Sequence, residues 1–289
     1  MPAPQRGRLP VTPALALIAL LLWFAAPQRA LAQTPSPLQE WQYTGGIVLQ
    51  KLFQPDLPEW RVVLGVAAEF EPKYDGAIAY RWLGGPVINI RYYDRAFFSL
   101  GEGLGYNFLR GDHYEVGVAI GYDLGRKVSD DYPVLHGMGN TKAAPVVKVF
   151  GSYVISKSFP LILRADVRQI LGGADGALAD FEFYMPMPGS SQSLFWFAGP
   201  SLTLADGRYQ QKAFGVTRSQ SLASGYPEYD AHASANAVGL GVSITKFITK
   251  HFLFNADLAT NRLLGSARNS PLTLDRNQGV VALSFDYHW

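Results

Sequence analysis

The chain has no cysteine. Disulfide frameworks, thiolate metal sites and cysteine nucleophiles are therefore excluded. Charge is also scarce: Asp, Glu, Lys and Arg make up 17% of the 289 residues, against about 25% in ordinary soluble domains. Long apolar runs are missing beyond the N-terminus. No later segment approaches the ~20 consecutive apolar residues that a membrane-spanning helix needs. A mature chain of this kind could cross a bilayer only as a closed barrel, the other structure that satisfies every backbone group in lipid.

The two ends of the chain supply the strongest signals. Arg6 and Arg8 precede an apolar stretch from Ala14 to Ala26, and Ala30-Leu31-Ala32 follows. This is the layout of a secretory signal peptide, with cleavage expected after Ala32. The domain reading is thus a signal peptide over 1–32 and one β-barrel over 33–289. Loss of 1–32 removes Arg6, Arg8 and Arg29 and no acid, so Lys plus Arg falls from 25 to 22 against 23 Asp plus Glu. The mature chain is near neutral, and nucleic-acid binding has no electrostatic support. At the other end, Val281, Leu283, Phe285, Tyr287 and Trp289 alternate with Ala282, Ser284, Asp286 and His288. A period of two marks a strand with one apolar face. A terminal aromatic two residues after a Tyr looks like the sorting signal read by the outer-membrane barrel-assembly machinery.

The same alternation recurs along the chain. Val62 to Phe70 oppose Arg61, Glu69 and Glu71; Tyr114 to Leu124 oppose Glu115 and Asp123. Leu163, Ala165 and Val167 oppose Arg164, Asp166 and Arg168, and Phe252 to Leu258 oppose Asn255 and Asp257. Aromatics at 13% and 29 glycines suit lipid-facing strands and tight turns. Alternation alone does not separate a soluble sandwich from a membrane barrel; the signal peptide and terminal Trp decide it. The expected fold is all-β, an antiparallel transmembrane β-barrel of about 12 strands, with 10 as the alternative. The candidate strands lie near 41–52, 60–72, 77–93, 95–108, 112–125, 143–156, 160–171, 176–187, 193–205, 231–246, 251–263 and 278–289. With both termini periplasmic, the long stretches 126–142, 206–230 and 264–277 face outside. Lys73–Gly76, Leu109–Gly111, Lys157–Phe159, Pro188–Gln192 and Phe247–Lys250 then turn inside, and the short connections at Asp94-Arg95 and Gly172–Asp175 fall outside.

Several blocks point to a family. They are Pro72-Lys73-Tyr74-Asp75-Gly76, Pro86-Val87-Ile88 leading to Arg91-Tyr92-Tyr93-Asp94-Arg95, and Ala213-Phe214-Gly215-Val216 continuing to Ser224-Gly225-Tyr226-Pro227-Glu228-Tyr229. The last is Leu264 to Leu272, with Asn269 where an acidic residue often precedes Ser-Pro. In their order and spacing these resemble the MipA/OmpV family of Gram-negative outer-membrane proteins. The resemblance implies a non-enzymatic barrel in the cell outer membrane. It also implies a scaffold for peptidoglycan-remodelling enzymes, a murein lytic transglycosylase and a peptidoglycan synthase. The alternatives are a small porin-like channel or an adhesin. The expected partners are outer-membrane lipid, the assembly machinery and those two enzymes; no catalytic residue, cofactor or metal is expected.

Some residues carry sharper alternatives. His232, Ser234 and Asn236 alternate, which places them on one strand face, and a Ser beside a His is an acyl-transfer set. Continued parity puts that face with Val238, Leu240, Val242 and Ile244, so an outer-membrane lipid esterase built on His232 and Ser234 is the third reading, set below the bland one of polar strand ends. Glu69, Glu115, Asp123, Lys148, Arg164, Asp166, Arg168, Asp180, Glu182 and Asp257 should point into the lumen. There they either set the ion preference of a pore or pair across strands in a closed or narrow interior, which is favoured here. Asp130, Asp131 and His136 read as a polar loop before a metal site. Gly101, Gly103 and Gly105 read as a smooth or kinked inner strand face. Trp196, Tyr287 and Trp289 fit interfacial girdles.

Overall fold

The computed structural model describes residues 58–155, 161–191 and 193–289. The expected signal peptide, the 41–52 strand candidate and the turn at 157–159 lie outside the described residues. Twelve strands form one closed antiparallel barrel. They are β1 (Trp60–Pro72), β2 (Tyr80–Tyr92), β3 (Ala96–Ser99), β4 (Gly103–Arg110), β5 (Tyr114–Asp123) and β6 (Ala144–Val154). The rest are β7 (Ile162–Ile170), β8 (Ala177–Pro186), β9 (Leu194–Ala205), β10 (Ser234–Phe247), β11 (Phe252–Leu263) and β12 (Asn277–His288). Each strand pairs with its sequence neighbours, and β12 returns to β1 to close the ring.

Polarity runs opposite to a soluble sandwich. Val66, Trp82, Leu104, Ile120, Val149, Val167, Phe183, Leu240, Leu258 and Phe285 are exposed, whereas Glu115, Lys148, Arg164, Asp166, Arg168, Asp180 and Glu182 are buried. Water would penalise the first set and favour exposure of the second. An apolar surround reverses both preferences, so the alternation is that of a barrel in lipid. Rings gather at both ends of this apolar belt. Trp60–Tyr92, His251–Tyr287, Phe252–Phe285 and Tyr287–Trp289 lie at the end carrying the C-terminus, and Phe70–Tyr80 and Phe70–Trp82 near the opposite end. Trp196 joins the first set, its Nε1 donating to Pro188 O at 3.1 Å.

The strand count agrees with the sequence reading, but the strands are not all the same ones. The single strand expected over 95–108 is a hairpin, β3 and β4, turned over Leu100–Glu102. Gly103 takes a positive φ of 84°, and Ser99 Oγ accepts from Glu102 N at 2.8 Å. Alternation cannot reveal this reversal, because inward Phe97 and Ser99 are followed by inward Gly105 and Asn107 on the same face count. The hairpin supplies the twelfth strand without 41–52. It also reverses the direction of β1 and β2 relative to expectation. The turn at Lys73–Gly76 therefore sits at the end away from the C-terminus, where Leu274 N donates to Gly76 O at 2.8 Å. Asp94-Arg95 sits at the C-terminal end, where Arg110 donates to Tyr93 O.

At the seam, Gly65 faces Asp286 across the β1–β12 pair. A Cβ on Gly65 would stand 2.0 Å from Asp286 Oδ1 and 2.5 Å from Phe285 O. The glycine leaves room for an inward carboxylate that also accepts from Asn255 and Ser284. Gly65→Val should therefore weaken closure by about 1–3 kcal/mol, the usual cost of overpacking. Urea unfolding of the refolded barrel, read as the fraction migrating fast without heating, measures this; an unchanged midpoint would contradict the seam assignment.

Candidate functional site

The interior is built by the inward residues of β4 to β9. Arg164 donates to Ser152 Oγ at 3.0 Å, lies 3.9 Å from Glu115 and sits over the Phe150 ring at 4.8 Å. Arg168 pairs with Asp180 at 3.0 Å, and Thr203 donates to the same carboxylate at 2.5 Å. Asp166 stands directly opposite Asp180, and Arg164 opposite Glu182. Towards the C-terminal end, Arg91 meets Glu102 at 2.5 Å, while Arg61 and Arg110 both pair with Asp94. Of the ten residues expected to line the lumen, nine are buried inside; Glu69 also faces inward but is half-buried. Alternation sets Arg61 on the polar face of β1 without counting it in the lumen set, and it misses Arg91, Asp94 and Glu102, which parity in β2 and the hairpin at Glu102 bring into the same interior. The opposite wall is lined by small residues, among them Gly65, Ala67, Gly239, Gly241 and Ala282. A Cβ on Gly85 would meet nothing within 4 Å, so there is open space beside it.

The end away from the C-terminus is covered by a folded cap. It comprises α1 (Tyr132–Leu135), α2 (Gly207–Phe214), α3 (Arg218–Ser224) and α4 (Gly265–Asn269). The stretch 206–230 was expected only as a long loop, although its helix signals were present. Asp206 caps α2 by accepting from Tyr209 N. Thr217 and Gln220 form a capping box on α3, and Gly225 ends it with a φ of 80°. Tyr209, Phe214 and Ala267 pack on Val146, Ile170, Leu178, Ala205, Ala237 and Leu263, so the barrel's inward positions turn apolar where the cap enters its mouth.

Three of the four blocks that carried the family resemblance meet in this cap; the fourth, Pro86 to Arg95, lies in β2 and its turn at the other end. Tyr74 donates to Leu272 O at 3.1 Å, Ser270 Oγ to Phe214 O at 2.6 Å, and Tyr229 to Ser266 O at 2.8 Å. Val216 and Tyr229 pair as an isolated antiparallel bridge. Beneath the cap lies a cavity of about 80 Å³, lined by Glu71, Tyr74, Asp75, Asp123, Arg126 and Tyr209 among others. It has room for a few waters. Burial raises the Asp75 carboxyl above its ordinary range; Arg168 and Arg126 oppose that rise and Asp123 adds to it. Burial likewise raises the Tyr74 and Tyr209 hydroxyls and lowers Arg126, which donates to Ala213 O at 2.8 Å.

The acyl-transfer set does not assemble. A β-bulge between Ala235 and Ala237 turns Ser234 and Asn236 away from the lipid face that Val238 begins. Ser234 Oγ accepts from Ser266 N at 3.1 Å and Gln210 Nε2 at 3.4 Å, and Asn236 Oδ1 accepts from Gln210 at 3.2 Å. His232 is exposed, its backbone N donating to Ser266 Oγ. These residues hold α2 and α4 onto β10. Asp130 accepts from Lys127 N, His136 Nδ1 contacts Pro133 O, and no group of metal-ligating side chains occurs among the described residues. Gly105 leaves space for the Phe97 ring, whose nearest atom lies 2.1 Å from the Cβ it lacks.

A family model described as MltA-interacting protein MipA matches residues 64–289. No curated protein matches the chain. Among solved structures, the CymD monoaromatic hydrocarbon channel aligns at 6% identity and a TM-score of 0.42, over 86% of this chain and 92% of that one. The outer membrane channel DcaP of Acinetobacter baumannii aligns at 9% and 0.36, over 80% and 96%. The NanC porin aligns at 10% and 0.36, over 79% and 98%. The barrel described above is read from its own strand pairing, independently of these likenesses.

Two measurements probe the site. Arg168→Ala removes the buried cation paired with Asp180 and should cost roughly 3–5 kcal/mol of unfolding free energy, with little conductance in planar bilayers before or after the change. A steady open channel in the unmodified protein would refute the filled interior. For Asp75, a folded pKa above the unfolded one means stability is fully present below the unfolded value and lost as pH rises through the folded one. Unfolding midpoints should therefore fall as pH climbs from 4 to 8, and Asp75→Asn should flatten that slope and stabilise the cap at neutral pH.

Proposed function

The chain belongs to the MipA family, and from that membership we propose that it is a non-enzymatic outer-membrane barrel that docks peptidoglycan-remodelling enzymes. The observation that carries this is the family match over 64–289, whose description names a protein that interacts with MltA. By that analogy the partners are a murein lytic transglycosylase and a peptidoglycan synthase. The capped mouth and the paired interior favour this reading over a porin-like channel. The engagement of Ser234 by Gln210 and Ser266 removes the support for an esterase.

Murein lies in the periplasm, so the docking surface belongs to the end that carries Trp289. Among the described residues that rim comprises Asp94-Arg95, Leu109–Gly111, 188–191 and Phe247–Lys250, and excludes Lys73–Gly76. Arg95, Lys246 and Lys250 are exposed there, and Tyr93, Ile248 and Trp289 add exposed apolar area. A stable interface buries about 800 Å² per partner. Short turns reach that area only in combination, so each alone contributes modestly.

Because the chain has no cysteine, single introduced thiols report orientation. On intact cells an impermeant maleimide should label Leu222→Cys in the cap and spare Lys250→Cys. Replacing the four C-terminal-end turns together with Gly/Ser sequence should abolish capture of the transglycosylase and synthase from solubilised envelopes. If capture survives that replacement and is lost only when 126–142, 206–230 and 264–277 are replaced, the scaffold reading fails in favour of an outward-facing role.

A further inference from the structure

The outward face of the barrel is almost free of charge. Among the described strand residues that face outward, only Lys246 and Arg262 are charged, and neither is acidic. Lys246 lies at the C-terminal end. Arg262 lies at the capped end of β11, opposite outward Val238 on β10 and outward Asn277 on β12. Two more arginines belong to the same β11–β12 hairpin. Arg268 is in α4, and Arg276 lies beside Arg262, its carbonyl accepting from Leu263 N at 2.8 Å. All three are exposed, and none is in an ion pair among the described residues. The nearest acid in sequence, Asp275, is half-buried, and its Oδ1 accepts from Asn277 N.

An arginine on the lipid face costs several kcal/mol at mid-bilayer but almost nothing at the rim, where it meets headgroups. Three cations without a counter-charge at that depth call for an anion. A guanidinium takes a phosphate through two parallel hydrogen bonds, which a lone ammonium cannot do. The outward direction of Arg262, next to Val238, aims it at a lipid headgroup rather than at the water above the cap. We propose that Arg262, Arg268 and Arg276, with Asn277, form a binding site for the phosphate-bearing headgroup of an outer-leaflet lipid. This site rests on the cap facing outward.

Native mass spectrometry of the detergent-purified mature protein tests it. The probes are bisphosphorylated lipid A, the same lipid stripped of its phosphates, and inorganic phosphate. Each arginine near a charged surface is worth about fivefold in affinity, so Arg262→Gln, Arg268→Gln and Arg276→Gln should each weaken lipid A binding about fivefold. The triple variant should weaken it on the order of 100-fold. Arg218→Gln, at an exposed cation of α3, should leave it unchanged. Dephosphorylated lipid should bind the unmodified protein as poorly as bisphosphorylated lipid binds the triple variant, and millimolar phosphate should fail to displace lipid A. Equal binding of the two lipids, full binding by the folded single variants, or displacement by free phosphate would overturn the site. The maleimide experiment reads orientation separately, so loss of the lipid site with a labelled cap refutes the arginine assignment alone.

Discussion

Ring closure between β1 and β12 is the constraint from which the rest follows. In hydrocarbon an unpaired backbone N–H or C=O costs several kcal/mol, and an open sheet would present two rows of them. The register from Val63 opposite His288 to Phe70 opposite Val281 removes both edges at once. It also fixes parity round the ring. Once Phe285 and Val66 face lipid, Asp286 and Gly65 must face in, and every strand between inherits that assignment through its neighbour. A one-residue slip would carry all the charges of a strand into lipid. The glycine beneath Asp286 and the terminal aromatics outside it hold this register from both faces.

Turning the charges inward creates a second demand. Asp166 directly opposite Asp180 would be repulsive in isolation, yet both are buried. They are tolerated because Arg168 bridges to Asp180 while Arg164 and Lys148 stand on adjoining positions. Phe150 separates the cations and offers its ring to both Arg164 and Lys148. The interior of this half is thus a set of mutually required partners. Removing one member costs more than the pair contributes relative to an apolar replacement.

Much of this was legible from the chain. The faces of β1, β5, β7 and β11 followed from alternation, and the terminal strand followed from Val281 to Trp289. What escaped has specific causes. The reversal over Leu100–Glu102 preserves parity, so periodicity passed through it unbroken and two strands read as one. The bulge at Asn236 breaks parity without leaving a compositional mark, so alternation alone puts His232 and Ser234 on the lipid face. The helices of the cap were written in Asp206, in Thr217 with Gln220, and in Gly225, but a barrel's outer connections invite reading as plain loops. The site suffered most from the last of these. Phe214 and Leu272 look like exposed loop residues until the cap that buries them is known.

The cap explains why three of the family blocks are scattered so widely along the sequence. Pro72 to Gly76, Ala213 to Tyr229 and Leu264 to Leu272 lie in three different connections, and they meet only after the barrel has closed. Their hydrogen bonds, Tyr74 to Leu272, Ser270 to Phe214 and Tyr229 to Ser266, tie each connection to another. A passing solute would have to part these loops and then replace the partners of Arg168 and Arg164. Breaking a single buried pair already costs 3–5 kcal/mol. A molecule built this way spends its interior on holding itself together. Recognition is left to its two rims and to the band where arginine meets lipid.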